Sequence, residues 1–311
     1  MRLVRERGLR ILREMTTARP RIGITVGDPA GIGPEIARKA AAHAEVVAVC
    51  EPVLYGPGSE EELRAFDRGR VSAAAGRAAY DAIVRAVEDA RAGRIAAIAT
   101  APINKEAFSA AGLRWPGHTE LLAHLTGASR VAMMFHADVL RVILATVHIP
   151  LVRVPAALTR DVLEATIDLA HGELPRFGFP SPRLALAGLN PHAGEHGVIG
   201  DEEDRVLRPA IAACRFRGVR VEGPFPADTL FLRAMRGEFD AVVACYHDQG
   251  LIPVKMAAFG RAVNVTLGLP IIRTSVDHGT AFDIAGQGIA DPSSLIEAVR
   301  LAARLAERAP A

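Results

Sequence analysis

Three histidines stand just past the ends of three separate apolar runs. Leu140–Val147 leads to His148, Arg183–Leu189 to Asn190-Pro191-His192, and Ala241–Tyr246 to His247-Asp248-Gln249. In an open α/β sheet, ligands collect beyond the carboxyl ends of the strands. Imidazoles delivered this way could converge on one point. Three neutral imidazoles hold a divalent ion and leave coordination positions free for substrate oxygens, as a catalytic centre does and a closed structural site does not. Any one of them alone reads better as a satisfied core or loop histidine, and it is the shared placement that favours a site. His43, His124, His136, His171 and His196 lack that placement and read as surface or helix-face residues. Cys50, Cys214 and Cys245 are too sparse for a disulfide framework or a thiolate zinc site, and read as small buried hydrophobes.

A second set of residues suits an anion. Pro116-Gly117-His118-Thr119-Glu120 precedes a short helix expected over Leu121–Thr126, and a helix N-terminus with free N–H groups and a threonine hydroxyl is an anion seat. Lys255, Arg261 and Arg273 lie in Leu251–Thr274, a stretch without an acidic residue. Cations in apolar surroundings are paired, hold a ligand, or snorkel to the surface. Snorkelling fits Arg261 better than Arg273, which sits between Ile271-Ile272 and the polar segment Thr274–Thr280. Gly27-Asp28-Pro29-Ala30-Gly31-Ile32-Gly33-Pro34 joins a strand to a helix, but its spacing is G-x-x-x-G-x-G. That is not the dinucleotide fingerprint G-x-G-x-x-G, so it reads as a loop lining the site.

The elements that must position these groups alternate. Strands are expected at Arg21–Val26, Val53–Tyr55, Ile95–Thr100, Val131–Phe135, Leu140–Val147, Arg183–Leu189, Ala241–Tyr246 and Ala262–Leu267. Helices are expected at Pro34–Ala44, Ser72–Arg91, Thr159–Leu174, Glu202–Arg217 and Ser293–Arg308. Ile95–Thr100 also ends in polar residues, Ala101-Pro102-Ile103-Asn104-Lys105. Such alternation implies a mostly parallel sheet with helices on both faces. The 311 residues carry 37 Lys+Arg against 35 Asp+Glu, a net charge of +2, which gives no field to gather nucleic acid or an anionic membrane. Aromatic residues, at 5%, are too few to form base-stacking platforms. No apolar run approaches the roughly 18 residues of a membrane span. Residues 1–19 are Arg-rich but interrupted by Glu6 and Glu14, a poor signal peptide. They read as a frayed helical extension, with Met15 as an alternative start, in a cytoplasmic protein.

Five of these segments together carry a resemblance. Gly27–Glu35, Pro116–Glu120, Leu189–Glu195, Tyr246–Gly250 and Arg273–Thr280 resemble the 4-hydroxythreonine-4-phosphate dehydrogenase family of vitamin B6 biosynthesis, from about Pro20 to the last helix. His278–Pro292 looks like the adenosine loop of isopropylmalate and isocitrate dehydrogenases, metal-dependent enzymes that lack the G-x-G-x-x-G fingerprint. The resemblance implies two α/β/α lobes of that type with the active-site cleft between them: residues 1–125 plus 275–311 carrying the NAD adenosine loop, and 126–274 carrying the metal histidines and dimer interface. It implies a homodimer with each site at the subunit interface and histidines drawn from both chains, so convergence within one chain is not required. It implies His148, His192 and His247 for the metal, and His118, Thr119, Lys255, Asn264 and Arg273 for the substrate. His278, Gly279, Asp283 and Gly286 fall in the cofactor loop. Asp283, matching an Asp that accepts ribose hydroxyls, would repel a 2′-phosphate and favour NAD over NADP.

The implied reaction is oxidation of 4-phosphooxy-L-threonine at C3 and β-decarboxylation to 3-amino-2-oxopropyl phosphate. The general base is left between Lys255, Asp248 and a metal-linked water. The metal is left between Zn²⁺, Co²⁺, Mn²⁺ and Mg²⁺. D-threonate or D-erythronate 4-phosphate, or the dihydrodiol of terephthalate, are the alternative substrates. His118-Thr119 and Arg273 favour the phosphorylated ones. A non-catalytic metal- or phosphate-binding protein on the same scaffold is the reading from a different class. Loss of a metal histidine or of the adenosine loop would favour it, and both are intact.

Overall fold

A computed structural model describes residues 19–258 and 260–308. The extension expected over residues 1–19 and the Met15 start lie, apart from Arg19, outside them. Among the described residues, ten strands form one sheet in the order β2-β1-β3-β10-β9-β4-β5-β8-β6-β7. They are β1 (Arg21–Thr25), β2 (Glu51–Tyr55), β3 (Ala97–Thr100), β4 (Ala132–Ala137), β5 (Leu140–Leu144), β6 (Leu184–Ala187), β7 (Val221–Phe225), β8 (Ala241–Ala244), β9 (Val263–Leu267) and β10 (Ile272–Ser275). The helices that bear on the site are α1 (Gly33–Ala42), α2 (Ala73–Arg91), α3 (Lys105–Ala110), α4 (His118–Thr126), α5 (Arg160–Glu173), α6 (Arg208–Phe216), α7 (Ala227–Met235), α8 (His247–Ala258) and α9 (Ser293–Arg308).

The sheet is two parallel blocks running in opposite directions. Strands β2, β1, β3 and β10 are parallel, and so are β5, β8, β6 and β7. Antiparallel pairs β10–β9, β9–β4 and β4–β5 join them. The reversal follows from two short links. The turn at Asp138-Val139 is too brief for a crossover and makes β4–β5 a hairpin. Gly268–Ile271 likewise returns β9 onto β10. Each sheet step adds roughly 20° of twist, so the blocks face one another across the central strands rather than lying flat.

Burial follows the alternation. Strands β3, β6 and β8 are buried along their whole length, as strands covered on both faces must be. Helix α9 repeats its apolar residues at 3–4 spacing and seals one face through Leu295, Val299, Ala302 and Leu305. Helix α8 covers the other, and packs so close that a Cβ on Gly250 would come within 2.7–3.2 Å of Leu144, Val142 and Ala244 side chains. That contact fixes the height of His247 over the sheet. Cys50, Cys214 and Cys245 are all buried thiols, as their sparseness implied. Among the described residues no helix is long and apolar enough to cross a membrane.

Three local expectations differ. The helix expected over Glu202–Arg217 begins with a π-turn at Glu203–Leu207, because the buried Glu203 is turned toward Asn190. The apolar segment from Leu251 is the body of α8, whose 3.6-residue repeat is masked by Pro253. His136, read as a surface residue, is buried on β4 against the Phe177 ring at 5.6 Å.

Burial, with Arg141 and Arg304 nearby and Asp138 opposing them, drives the His136 pKa down to about 4. Its folded value lies below the ordinary imidazole value near 6.5, so between pH 6.5 and 4 the unfolded chain binds the extra proton. Stability is therefore complete above that window and falls as pH drops through it, by a magnitude on the order of 3 kcal/mol. Melting curves from pH 7 to 4 are expected to show a smaller acid loss for His136→Leu than for the unaltered chain.

Candidate active site

A cleft of about 650 Å³ lies on one face of the central strands. Met133 and Phe135 of β4, Asn264 of β9 and Arg273 of β10 form its floor. One wall comes from the first parallel block: Lys105 of α3 and His118, Thr119 and Glu120 of α4. The facing wall comes from the second block: His148 after β5, with His247 and Lys255 of α8. Ser275–Gly279, leaving β10, form the rim. The site thus sits where the strand direction reverses.

The imidazoles of His148 and His247 meet across 5.5 Å between ring centroids, tilted by 42°. His148 has φ 43°, left-handed backbone that a β-carbon disfavours and that tertiary contacts must hold. Burial first, then Lys105 and His247, hold its pKa below the ordinary value, which keeps the ring neutral. His247 Nδ1 lies 2.7 Å from the exposed Asp248 carboxylate. A carboxylate accepts, so Nδ1 is the nitrogen that donates here and Nε2 is the one left for another partner. A carboxylate oriented this way behind a histidine is the usual support of a metal ligand. Asp248 itself does not line the cleft.

His192 stands elsewhere. It is 60% exposed and does not line the cleft, and among the described residues no three His, Cys, Asp or Glu side chains gather for an ion. Yet its local build matches that of His247, with Nδ1 2.6 Å from the Glu195 carboxylate. Residues 192–196 all adopt positive φ. Each non-glycine in such a run costs about 1–2 kcal/mol. Glu203 braces the turn, accepting from Asn190 N at 2.7 Å and Asn190 Nδ2 at 2.9 Å. The chain therefore offers two converging imidazoles and a third, equally prepared, pointing outward. As a donor set these fit a divalent ion only when His192 arrives from another copy.

The anion seat is built from unpartnered atoms. Helix α4 has Gly117 at its cap and no side-chain cap, so its first N–H groups are free. Trp115, stacked between Tyr80 at 5.6 Å and His124 at 5.2 Å, braces the approach. His118 Nε2, Asn264 Oδ1 and Arg273 Nε are all sealed from solvent without a hydrogen-bond partner. Arg273 is 2% exposed and donates to Thr266 Oγ1 at 2.9 Å and Thr100 Oγ1 at 2.8 Å, with no ion pair to a carboxylate among the described residues. Burial pulls its pKa below the usual arginine value, and burial with the Arg273 charge holds His118 well below the usual imidazole value. A neutral donor beside a charged guanidinium, both unsatisfied, is an arrangement completed by an anion. Arg261 lies outside the cleft, at the rim of a separate hollow beside His136.

Of the cofactor-loop residues, His278 and Gly279 line the cleft and Asp283 and Gly286 do not. Asp283 lies exposed on a short 3₁₀ turn, Phe282–Ile284, and among the described residues its carboxylate accepts no hydrogen bond. The glycine-rich loop at 27–33 is not part of the cleft wall as expected. It is buried throughout. Gly27, at φ 70°, has room for no Cβ against the Pro102 carbonyl, and one on Gly31 would come within 2.8 Å of Thr280 O. It is a support under the rim and the cofactor loop. Lys105, Glu120 and Thr100 were not singled out. The strand-end rule led to the segment holding Lys105, but an Asn-Lys pair carries no metal or phosphate signature.

The family model described as pyridoxal phosphate biosynthetic protein PdxA matches residues 24–302. A D-threonate 4-phosphate dehydrogenase of Cupriavidus necator is 48% identical, covering 93% of this chain and 98% of that protein. A 4-hydroxythreonine-4-phosphate dehydrogenase of Desulforapulum autotrophicum is also 48% identical, covering 93% and 96%. The crystal structure of the 4-hydroxythreonine-4-phosphate dehydrogenase of Klebsiella pneumoniae superposes with a TM-score of 0.85 at 42% identity, covering 94% of this chain and 99% of that one. A β-decarboxylating dehydrogenase of Thermococcus kodakarensis, with a TM-score of 0.50 at 17% identity over 89% of this chain and 80% of that one, shares the fold. The sheet, the cleft and these likenesses agree: the chain belongs to the pyridoxal phosphate biosynthetic protein PdxA family and is a dehydrogenase.

Proposed function

We propose that the cleft oxidises a four-carbon, 4-phosphorylated 3-hydroxy acid with NAD and then decarboxylates it, with 4-phosphooxy-L-threonine as substrate. The observation that carries this reading is the pairing, in one cleft, of an unsatisfied anion seat at His118 and Arg273 with the His148–His247 pair. The phosphate binds at the N-terminus of α4, remote from the reacting carbon, and supplies the binding energy that orients it. Hydride leaves C3 for the nicotinamide while the hydroxyl proton passes to a base. The C1–C2 bond of the β-keto acid then breaks, its electrons flow to the C3 oxygen, and C2 takes a proton. Lys255, on the wall beside His247, reaches the cleft and is the protein base of this scheme. Asp248 keeps the His247 tautomer instead.

His148 and His247, with His192 of the partner subunit, would hold one divalent ion. When bound it supplies Lewis acidity at the C3 oxygen. An apolar face beside this corner supports the dimer. Leu232 and Met235 of α7 with Ile252 and Met256 of α8 are exposed around a hollow of about 580 Å³, Met256 by 70%. Val198, close to His192, is 80% exposed. Such contiguous apolar surface marks an interface. The lobes 1–125 with 275–311 and 126–274 would close on the cleft from either side.

A second reading is favoured by the Cupriavidus necator relative: D-threonate 4-phosphate, which keeps the phosphate and replaces the C2 amine by a hydroxyl. Cofactor reduction measured with 4-phosphooxy-L-threonine, D-threonate 4-phosphate and D-erythronate 4-phosphate, with added divalent ion, separates the two. Turnover of one of them with NAD, and far less with NADP because Asp283 repels the 2′-phosphate, is expected. Absence of reduction with all three would remove the reading.

A further inference from the structure

Lys105 is a cation of the cleft that the metal, phosphate and cofactor roles leave unused. It is the first residue of α3, and Asn104 Oδ1 accepts from Ala107 N at 2.8 Å, so its backbone is fixed by a capped helix start. It lines the wall opposite Lys255, and among the described residues its ammonium has no ion pair or hydrogen bond. Lys105 belongs to α3 rather than to the α4 start that seats the phosphate, and among the described residues it makes no hydrogen bond to His118 or Arg273. A 4-phosphorylated 3-hydroxy acid has two anionic ends. With its phosphate at α4 beside Arg273 and Lys255 taken as the base, Lys105 is the lining cation left to meet the remaining anion, the C1 carboxylate.

We propose that Lys105 binds the substrate carboxylate and selects phosphorylated acids over phosphorylated alcohols, an inference that rests on the reading of the phosphate seat above. A single ammonium is a point charge on a flexible stem. It orients the C1–C2 bond without the two-point grip of a guanidinium, and so leaves the carboxylate free to depart. Once CO₂ has left, the product has lost the anion that Lys105 held, which favours its release.

Binding of two non-reacting probes to the full chain, measured by calorimetry, tests this without turnover. 3-Phosphoglycerate carries a phosphate and a carboxylate; glycerol 3-phosphate carries the phosphate only. Lys105→Ala is expected to weaken 3-phosphoglycerate by about tenfold or more, the usual effect of losing a charge-assisted hydrogen bond, and to leave glycerol 3-phosphate unchanged. Lys105→Arg should recover most of the loss. In turnover, KM should rise with kcat little altered, because the contact exists in the bound ground state. Equal weakening of both probes would place Lys105 on the phosphate and overturn the proposal. Weakening of neither would make it a bystander and overturn it too. If the unaltered chain binds neither probe, the phosphate seat itself is misread, and the proposal falls with it.

Discussion

Mixing His192→Ala and His247→Ala subunits is expected to restore activity that neither variant has alone. Each substitution removes one of the three proposed ligands and should lower kcat/KM by roughly a thousandfold or more, about 4 kcal/mol of transition-state stabilisation, together with bound divalent ion. Within one chain the two residues do not meet: His247 faces His148 in the cleft, while His192 points outward on its braced left-handed turn. If each site takes His192 from the partner, a mixed dimer has one intact site and one doubly altered site. Random exchange then restores about a quarter of the sites. The readout is specific activity and metal content after co-refolding or subunit exchange. No recovery in demonstrably mixed dimers would mean that His192 serves its own chain or serves no site.

Arg273→Met is expected to have opposite effects on binding and on stability. The guanidinium is buried, held by two threonine hydroxyls, and among the described residues paired with no carboxylate, the exposed Glu120 acting on it only from a distance. Its desolvation is repaid only when an anion arrives. Removing the partner of a buried charge typically costs 2–5 kcal/mol, so kcat/KM on a phosphorylated substrate should fall by a factor on the order of a thousand. The ligand-free protein should melt no lower than the unaltered chain, because an uncompensated buried cation has been exchanged for an apolar chain of similar reach. The rise in Tm on adding phosphate ligand, present in the unaltered chain, should disappear. A large drop in the ligand-free Tm would instead make Arg273 a structural member of the Thr100–Thr266 network.

How much of this is legible in the chain itself depends on distance along it. The alternation of apolar runs places most strands within a few residues, because burial on both faces demands a continuous apolar stretch. Helix α8 was not legible, since Pro253 and an almost continuously apolar sequence hide its repeat. The seat at His118 is readable because a helix N-terminus and its first residues are neighbours in sequence. Asp248 and Glu195, each beside the histidine it orients, are neighbours too, but sequence proximity alone left Asp248 as a candidate base. The buried state of His136 could not be read, because it depends on Phe177 and α9, remote in the chain.

By itself the sequence determined the fold class, the imidazole and cation inventory, and the rule that the chemistry lies past strand ends. Those follow from local patterning: polarity period, caps and the residue types a reaction requires. Which of those residues share a site was decided only by the tertiary structure. The reversal of strand direction at β9 and β4 turns two sets of strand ends toward one cleft, bringing Lys105 and His118 opposite His148 and His247. The same geometry leaves His192 outside it. Convergence depends on the twist and packing of the whole sheet, which no short stretch of residues encodes.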